Sequence, residues 1–276
     1  MSTPPKAFLT VISWPSQFDE DQRTKSLVEC TGMDTYQAKL ASRRNTPGVM
    51  KTIDAEMRNH VLAAMHARGI LAIAPTQDEI NAYPEPIHAL GIEQFPDADP
   101  PRFVIRTVSQ TPWTFIPDQV KLVVWGRLKS TNAVLKPGQS SGMRLAAVAP
   151  EVALIKAMTS EGAYISKNIK VKEIMDLHIE TDEGSQLVRL IGPRTRIGIV
   201  GDDSRPSLLD QTKPIDLVEA LMPDALIDTE FHDFDPPGAI RKASKKNNPS
   251  GSSATIECWA FYSPWIGLIK QAMYGW

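Results

Sequence analysis

The chain has little of what usually betrays a function. Only Cys30 and Cys258 are cysteines among its 276 residues. Two cysteines so far apart argue against a disulfide framework, and no Cys-x-x-Cys pair exists to hold zinc or run redox chemistry. No stretch approaches the ~20 apolar residues of a membrane span. The apolar run Ala7 to Ile12 is too short for a signal core, and Trp14-Pro15 follows it where a small-residue cleavage site would stand. These absences predict a cytoplasmic protein with no transmembrane segment. An excess of one charge is missing too: 30 Lys and Arg stand against 32 Asp and Glu, a net charge of −2. That balance gives no bulk attraction to nucleic acid or anionic lipid.

Catalytic signatures are equally scarce. Gly184, Gly192, Gly198 and Gly201 do not space as G-x-G-x-x-G, and there is no phosphate-binding G-x-x-x-x-G-K-[ST], no G-x-S-x-G and no H-E-x-x-H. The sequence therefore names no catalytic residue and no cofactor-binding residue, and implies no cofactor. Proline is the one residue in excess, at 22, and six of these lie between residues 75 and 101.

What is present is organisation. Phe8 to Ile12 reads as a strand and residues 19 to 31 as a helix with acids in its first turn, stopped by Gly32. Asp34 caps a second helix that runs through Arg44, and Gly48 to Ile53 reads as a strand. Asp54 is placed to cap a third helix with Met57, Val61, Leu62 and Met65 on one face, ahead of a strand from Ile70 to Ala74. The order is β-α-α-β-α-β over residues 6 to 75, one small α+β unit.

That order and length, with the run Thr31-Gly32-Met33-Asp34-Thr35-Tyr36-Gln37-Ala38-Lys39, resemble the C-terminal domain of the bacterial ribosomal stalk protein and the Clp protease adaptor that shares its fold. The resemblance covers about a quarter of the chain. It implies that fold and, since both relatives bind proteins and catalyse nothing, a protein-binding role.

Residues 76 to 101 read as a proline-rich, semi-extended linker. From residue 102 to 276 the period changes to two, predicting a larger antiparallel β-rich α+β domain closed by a C-terminal helix. Strands are expected over Phe103–Val108, Trp113–Ile116, Val120–Trp125, Ile174–Thr181, Gln186–Ile191 and Arg196–Val200, with a hairpin turn at Asp182-Glu183-Gly184-Ser185. Pro150 to Met158 reads as a helix or a buried strand, which periodicity does not separate, and a segment from Thr212 reads as a helix. Ala239 to Ser253 reads as a loop, and Thr255 to Tyr262 as a strand. Ser263-Pro264 then opens a helix striped by Trp265, Leu268, Ile269, Ala272, Met273 and Trp276. A curved sheet plugged by one terminal helix resembles the pleckstrin-homology-like architecture.

Three features could carry chemistry. Strand alternation puts Asp176, His178 and Glu180 on one side, a row that suits metal binding or proton transfer, or else the wet face of a sheet. Asp228, Glu230, His232, Asp233 and Asp235 crowd one short segment. They are the weak candidates for a hard cation, although the spacing of a calcium loop is absent. Residues 201 to 235 hold ten acids, and Arg241, Lys242, Lys245 and Lys246 follow them. The reading that gathers most of this is a non-catalytic adaptor or regulatory protein with a protein partner. The alternatives are a metal-assisted hydrolase near His178 or the Asp228–Asp235 segment, and a lipid- or phosphate-binding module using the basic residues.

Overall fold

The computed structural model describes residues 4–95, 98–99, 101–107, 112–136, 164–191, 196–199, 214–247 and 255–276. The helix or buried strand expected over Pro150–Met158 and the acidic stretch 201–213 lie outside them.

In the first unit, β1 (Lys6–Ser13) is the centre of a three-stranded antiparallel sheet, between β2 (Gly48–Asp54) and β3 (Leu71–Ile73). Helices α1 (Glu20–Thr31), α2 (Thr35–Ser42) and α3 (Arg58–His66) complete the expected order. Asp19 caps α1 in a reciprocal box with Gln22, and Asp34 accepts from the Gln37 N–H at the start of α2. Asp54 does not cap α3. A short 3-10 turn, Ala55–Met57, comes first, and the Asp54 carboxylate pairs with Lys6.

Both faces of β1 are covered, which is why it reads as an unbroken apolar run rather than an alternation. Ala7, Leu9 and Val11 pack beneath the three helices with Leu27, Ala38, Val61 and Met65. Phe8 and Ile12 point the other way, into a second core built around the C-terminal helix.

The stretch expected as a linker is instead structured. Thr76 and Glu79 form a capping box on α4 (Gln77–Asn81), and β4 (Ile87–Phe95) is an interior strand. Pro75, Pro84, Pro86 and Pro101 stand between elements. A bulge between Ala89 and Gly91 breaks the period of two that would have marked the strand.

The large sheet takes β5 (Arg102–Thr107), β6 (Trp113–Phe115), β7 (Val120–Lys136), β8 (Tyr164–Thr181), β9 (Gly184–Ile191) and β10 (Arg196–Ile199). After α5 (Pro214–Leu221) comes β11 (Leu226–Asp228) at the edge beside β7. The order is β11-β7-β8-β9-β4-β5-β6, with β10 also on β4. The runs β7-β8-β9 and β4-β5-β6 are antiparallel, and they meet through the parallel pair β9-β4. The α+β class stands, with parallel pairs added to the antiparallel sheet that was expected.

Val123, Met175, Leu177, Val188 and Phe103 bury one face of this sheet, with α5 packed against it. Leu122, Val124 and Ile174 bury the other face against the C-terminal helix.

Two expectations near the C-terminus fail. Ala239–Asn247 belongs to α6 (Gly238–Asn247) rather than a loop, and Thr255–Tyr262 is not a strand but the start of α7 (Ile256–Tyr274), capped by Thr255. Helix α7 lies between the two sheets, so from Cys258 to Ile269 all but Ala260 and Leu268 are buried, and a helix covered over most of its circumference shows no clean stripe. Pro264 therefore sits inside the helix, not at its start. Among the described residues no helix is long and apolar enough to cross a membrane.

Candidate functional site

Alternation along β8 turns Asp176 and His178 towards α7, not towards water. Their relative exposures are 0% and 2%. Asp176 faces Arg189 across the β8-β9 hairpin, which turns at Asp182-Glu183 where Gly184 takes a φ of 115°. Arg189 gives Asp176 a two-pronged bond, Nε to Oδ1 at 2.8 Å and Nη2 to Oδ2 at 2.7 Å. Trp259 of α7 adds its indole N–H to Oδ2 at 2.9 Å. Together these bonds compensate the desolvation of a buried carboxylate.

One α7 turn further on, His178 is held between two hydroxyls. Tyr83 Oη lies 2.6 Å from Nδ1 and Ser263 Oγ lies 3.2 Å from Nε2. Burial pulls the His178 pKa down to about 4, and nearby Asp176 offsets this only in part. The ring is neutral at pH 7, so one nitrogen donates and the other accepts. Burial also pushes the Tyr83 phenol up. Helix α7 can approach this closely only because residue 267 is glycine. A Cβ there would stand 2.5 Å from Tyr83 Oη and 2.8 Å from the His178 ring.

Glu180, the third member of the predicted row, lies at the strand end and accepts from Ser185 Oγ at 2.6 Å. It does not join the other two.

Tyr83 and Arg189 have a second role. Their outer sides line an open cleft of about 320 Å³ between α4, the Tyr83–Pro86 segment, β9, α6 and α7. The cleft is preformed, because the bonds to His178 and Asp176 fix both side chains from behind. No nucleophile enters it from the buried cluster: Ser263 is fully buried and turned to His178.

The acidic segment splits up. Asp228 points inward and accepts from Tyr262 Oη at 2.5 Å, and burial raises its pKa. Glu230, His232 and Asp233 face solvent, with His232 Nε2 3.0 Å from Asp233. Asp235 pairs with Arg44 of the N-terminal unit and with Arg241 of α6. Phe231 is buried as expected. Among the described residues no three His, Cys, Asp or Glu side chains come together to hold a metal.

The remaining candidates are structural or exposed. His66 bonds the Ala72 carbonyl at 2.8 Å, whereas His60 and His88 are exposed. Cys30 and Cys258 are free and buried, and burial pushes the Cys30 thiol up, away from nucleophile chemistry.

Sequence reading found His178 and Asp176 but missed Tyr83, Arg189, Trp259 and Ser263. Arg189 was accessible by counting back from the hairpin turn. The other three come from distant parts of the chain and carry no local signal. Compared with protein-family models, with curated proteins and with solved structures, the chain matches none.

Proposed function

We propose that this is a non-catalytic binding protein that recognises a protein partner at the cleft beside Tyr83 and Arg189. The observation that carries this reading is the state of the polar side chains behind the cleft. Asp176 is bonded by Arg189 and Trp259, His178 by Tyr83 and Ser263, and all three of Asp176, His178 and Ser263 are sealed from solvent. Groups so arranged make walls rigid. They do not exchange protons with a substrate, because a catalytic acid or base must reach the reacting atom. Rigid walls lower the ordering cost of binding.

The resemblance of residues 6–75 to the stalk-protein and adaptor domains supports the same reading, since both relatives bind proteins. We place the protein in the cytoplasm, in keeping with two buried cysteines that form no bridge.

The test is crosslinking of the full-length chain in the cells that make it, identification of the crosslinked protein, and titration of that protein in purified form. Direct, saturable one-to-one binding is expected. A chain that turns over a small-molecule substrate, or whose crosslinked proteins all fail to bind when purified, overturns the reading.

A further inference from the structure

The cleft offers a specific set of unsatisfied groups. The first is Arg189, only 6% exposed. Its Nε and Nη2 are committed to Asp176, while Nη1 has no hydrogen-bond partner among the described residues. Since Arg189 lines the cleft, this leaves an N–H donor at the cleft floor. Its positive charge is already matched by Asp176, so the cleft offers no net attraction to an anion.

The second group is on α7. Pro264 has no N–H and cannot supply the i+4 bond to the carbonyl of Ala260. Both residues line the same cleft, and Ala260 is exposed. The Ala260 carbonyl thus lacks its helical donor, and it belongs to the same cleft lining as Arg189. A donor and an acceptor of this kind match the C=O and N–H of a peptide unit.

The third is Glu85, an exposed carboxylate at the cleft rim with no partner among the described residues. It stands between Pro84 and Pro86. Proline fixes its own φ and restricts the residue before it, so Glu85 is presented from a stiffened backbone. Beside it, the ring of Tyr83 and the apolar Ile80 and Phe261 form the walls.

Resting on the reading above, we infer that the cleft takes an extended segment of the partner polypeptide that carries a lysine or arginine. A backbone carbonyl of the segment accepts from Arg189 Nη1 and a backbone N–H donates to the Ala260 carbonyl. The basic side chain lies against Glu85. This pattern needs no terminal amine or carboxylate, so an internal segment satisfies it.

Calorimetry on the full-length protein tests the inference. The probe is a hexapeptide of alternating alanine and lysine, acetylated and amidated at its ends. The controls are the same peptide with glutamate for lysine, and free lysine amide. The lysine peptide is expected to bind one-to-one and at least tenfold more tightly than either control. Glu85→Lys, a change at an exposed position, is expected to weaken it at least tenfold.

Pro264→Ala is the sharper variant, because it restores the helical N–H to the Ala260 carbonyl. Affinity should fall severalfold while the melting temperature holds or rises, so the loss cannot be ascribed to unfolding. Equal binding of the glutamate peptide or of lysine amide, or wild-type affinity in both variants, overturns the inference. A purified partner that binds Glu85→Lys as well as wild type would leave the protein-binding reading standing and remove the cleft from it.

Discussion

The indole N–H of Trp259 meets the carboxylate of Asp176 at 2.9 Å, tying the buried ion pair of the β8-β9 hairpin to a helix 83 residues away in sequence. Trp259→Phe keeps most of the apolar volume and removes only that donor. Hydrogen bonds to charged groups contribute ~1.5–3 kcal/mol, and a loss of that size is expected in urea unfolding.

Asp176→Ala should cost more, about 3–5 kcal/mol, because Arg189 would be left buried without its counter-charge. The double variant Asp176→Ala, Arg189→Met removes the stranded charge as well. It should recover a large part of that loss. An additive result would show that the two side chains are not coupled in solution.

Gly267→Ala sets helix propensity against sterics. Alanine favours a helix by ~1 kcal/mol over glycine, but here its Cβ would meet Tyr83 Oη at 2.5 Å and the His178 ring at 2.8 Å. Net destabilisation of about 1–3 kcal/mol is expected. Adding Tyr83→Phe frees the space of one clashing oxygen, so the pair should be less than additive in a double-mutant cycle.

His178 gives the stability a pH dependence of known sign. Its pKa falls from 6.5 in the unfolded chain to about 4 in the fold, so between these values the unfolded chain binds more protons. Stability from this group is fully present above pH 6.5 and declines as pH falls towards 4, by about 3 kcal/mol over the window. Asp228, with its pKa raised by burial, acts in the opposite sense above its ordinary value. Urea midpoints from pH 7 to 4.5 should fall less steeply in His178→Gln, whose amide can still donate and accept.

Both thiols should resist a disulfide-exchange reagent in the native state and react fully in denaturant. Cys258 lies on the helix between the sheets, at 0% exposure, and Cys30 under the N-terminal helices at 6%. Rapid native labelling of Cys258 alone would mean that α7 detaches without the first unit opening.

The sequence was most legible where caps and short-range periodicity carry the information. Asp34 and Gly32 bound their helices as read, Asp19, read as a first-turn acid, proves to be the cap of its helix, and the order of elements in residues 6–75 follows from them. It was least legible where burial on two sides erases periodicity. The all-apolar stretch beginning at Cys258 resembles a strand until the second sheet is seen to cover it. Much the same happened at the candidate site. Alternation correctly put Asp176 and His178 on one side, but nothing local to β8 says that Trp259 and Ser263 will lie over them. The acidic segment misled in the other direction, because adjacency in sequence sent Asp228 inward, Glu230 outward and Asp235 to two arginines.

The position of α7 has a consequence for the order of events during synthesis. Trp265 donates to Thr10 at 3.1 Å, while Trp259 and Ser263 hold β8, so one late segment finishes cores begun by the first and middle strands. Until that segment leaves the ribosome, Phe8 and Ile12 on one nascent sheet, and Leu122 and Val124 on the other, stand bare to water. Chains with such uncovered strands are the species most prone to associate wrongly. The growing polypeptide thus carries uncovered apolar faces on both sheets until one helix arrives and extinguishes them.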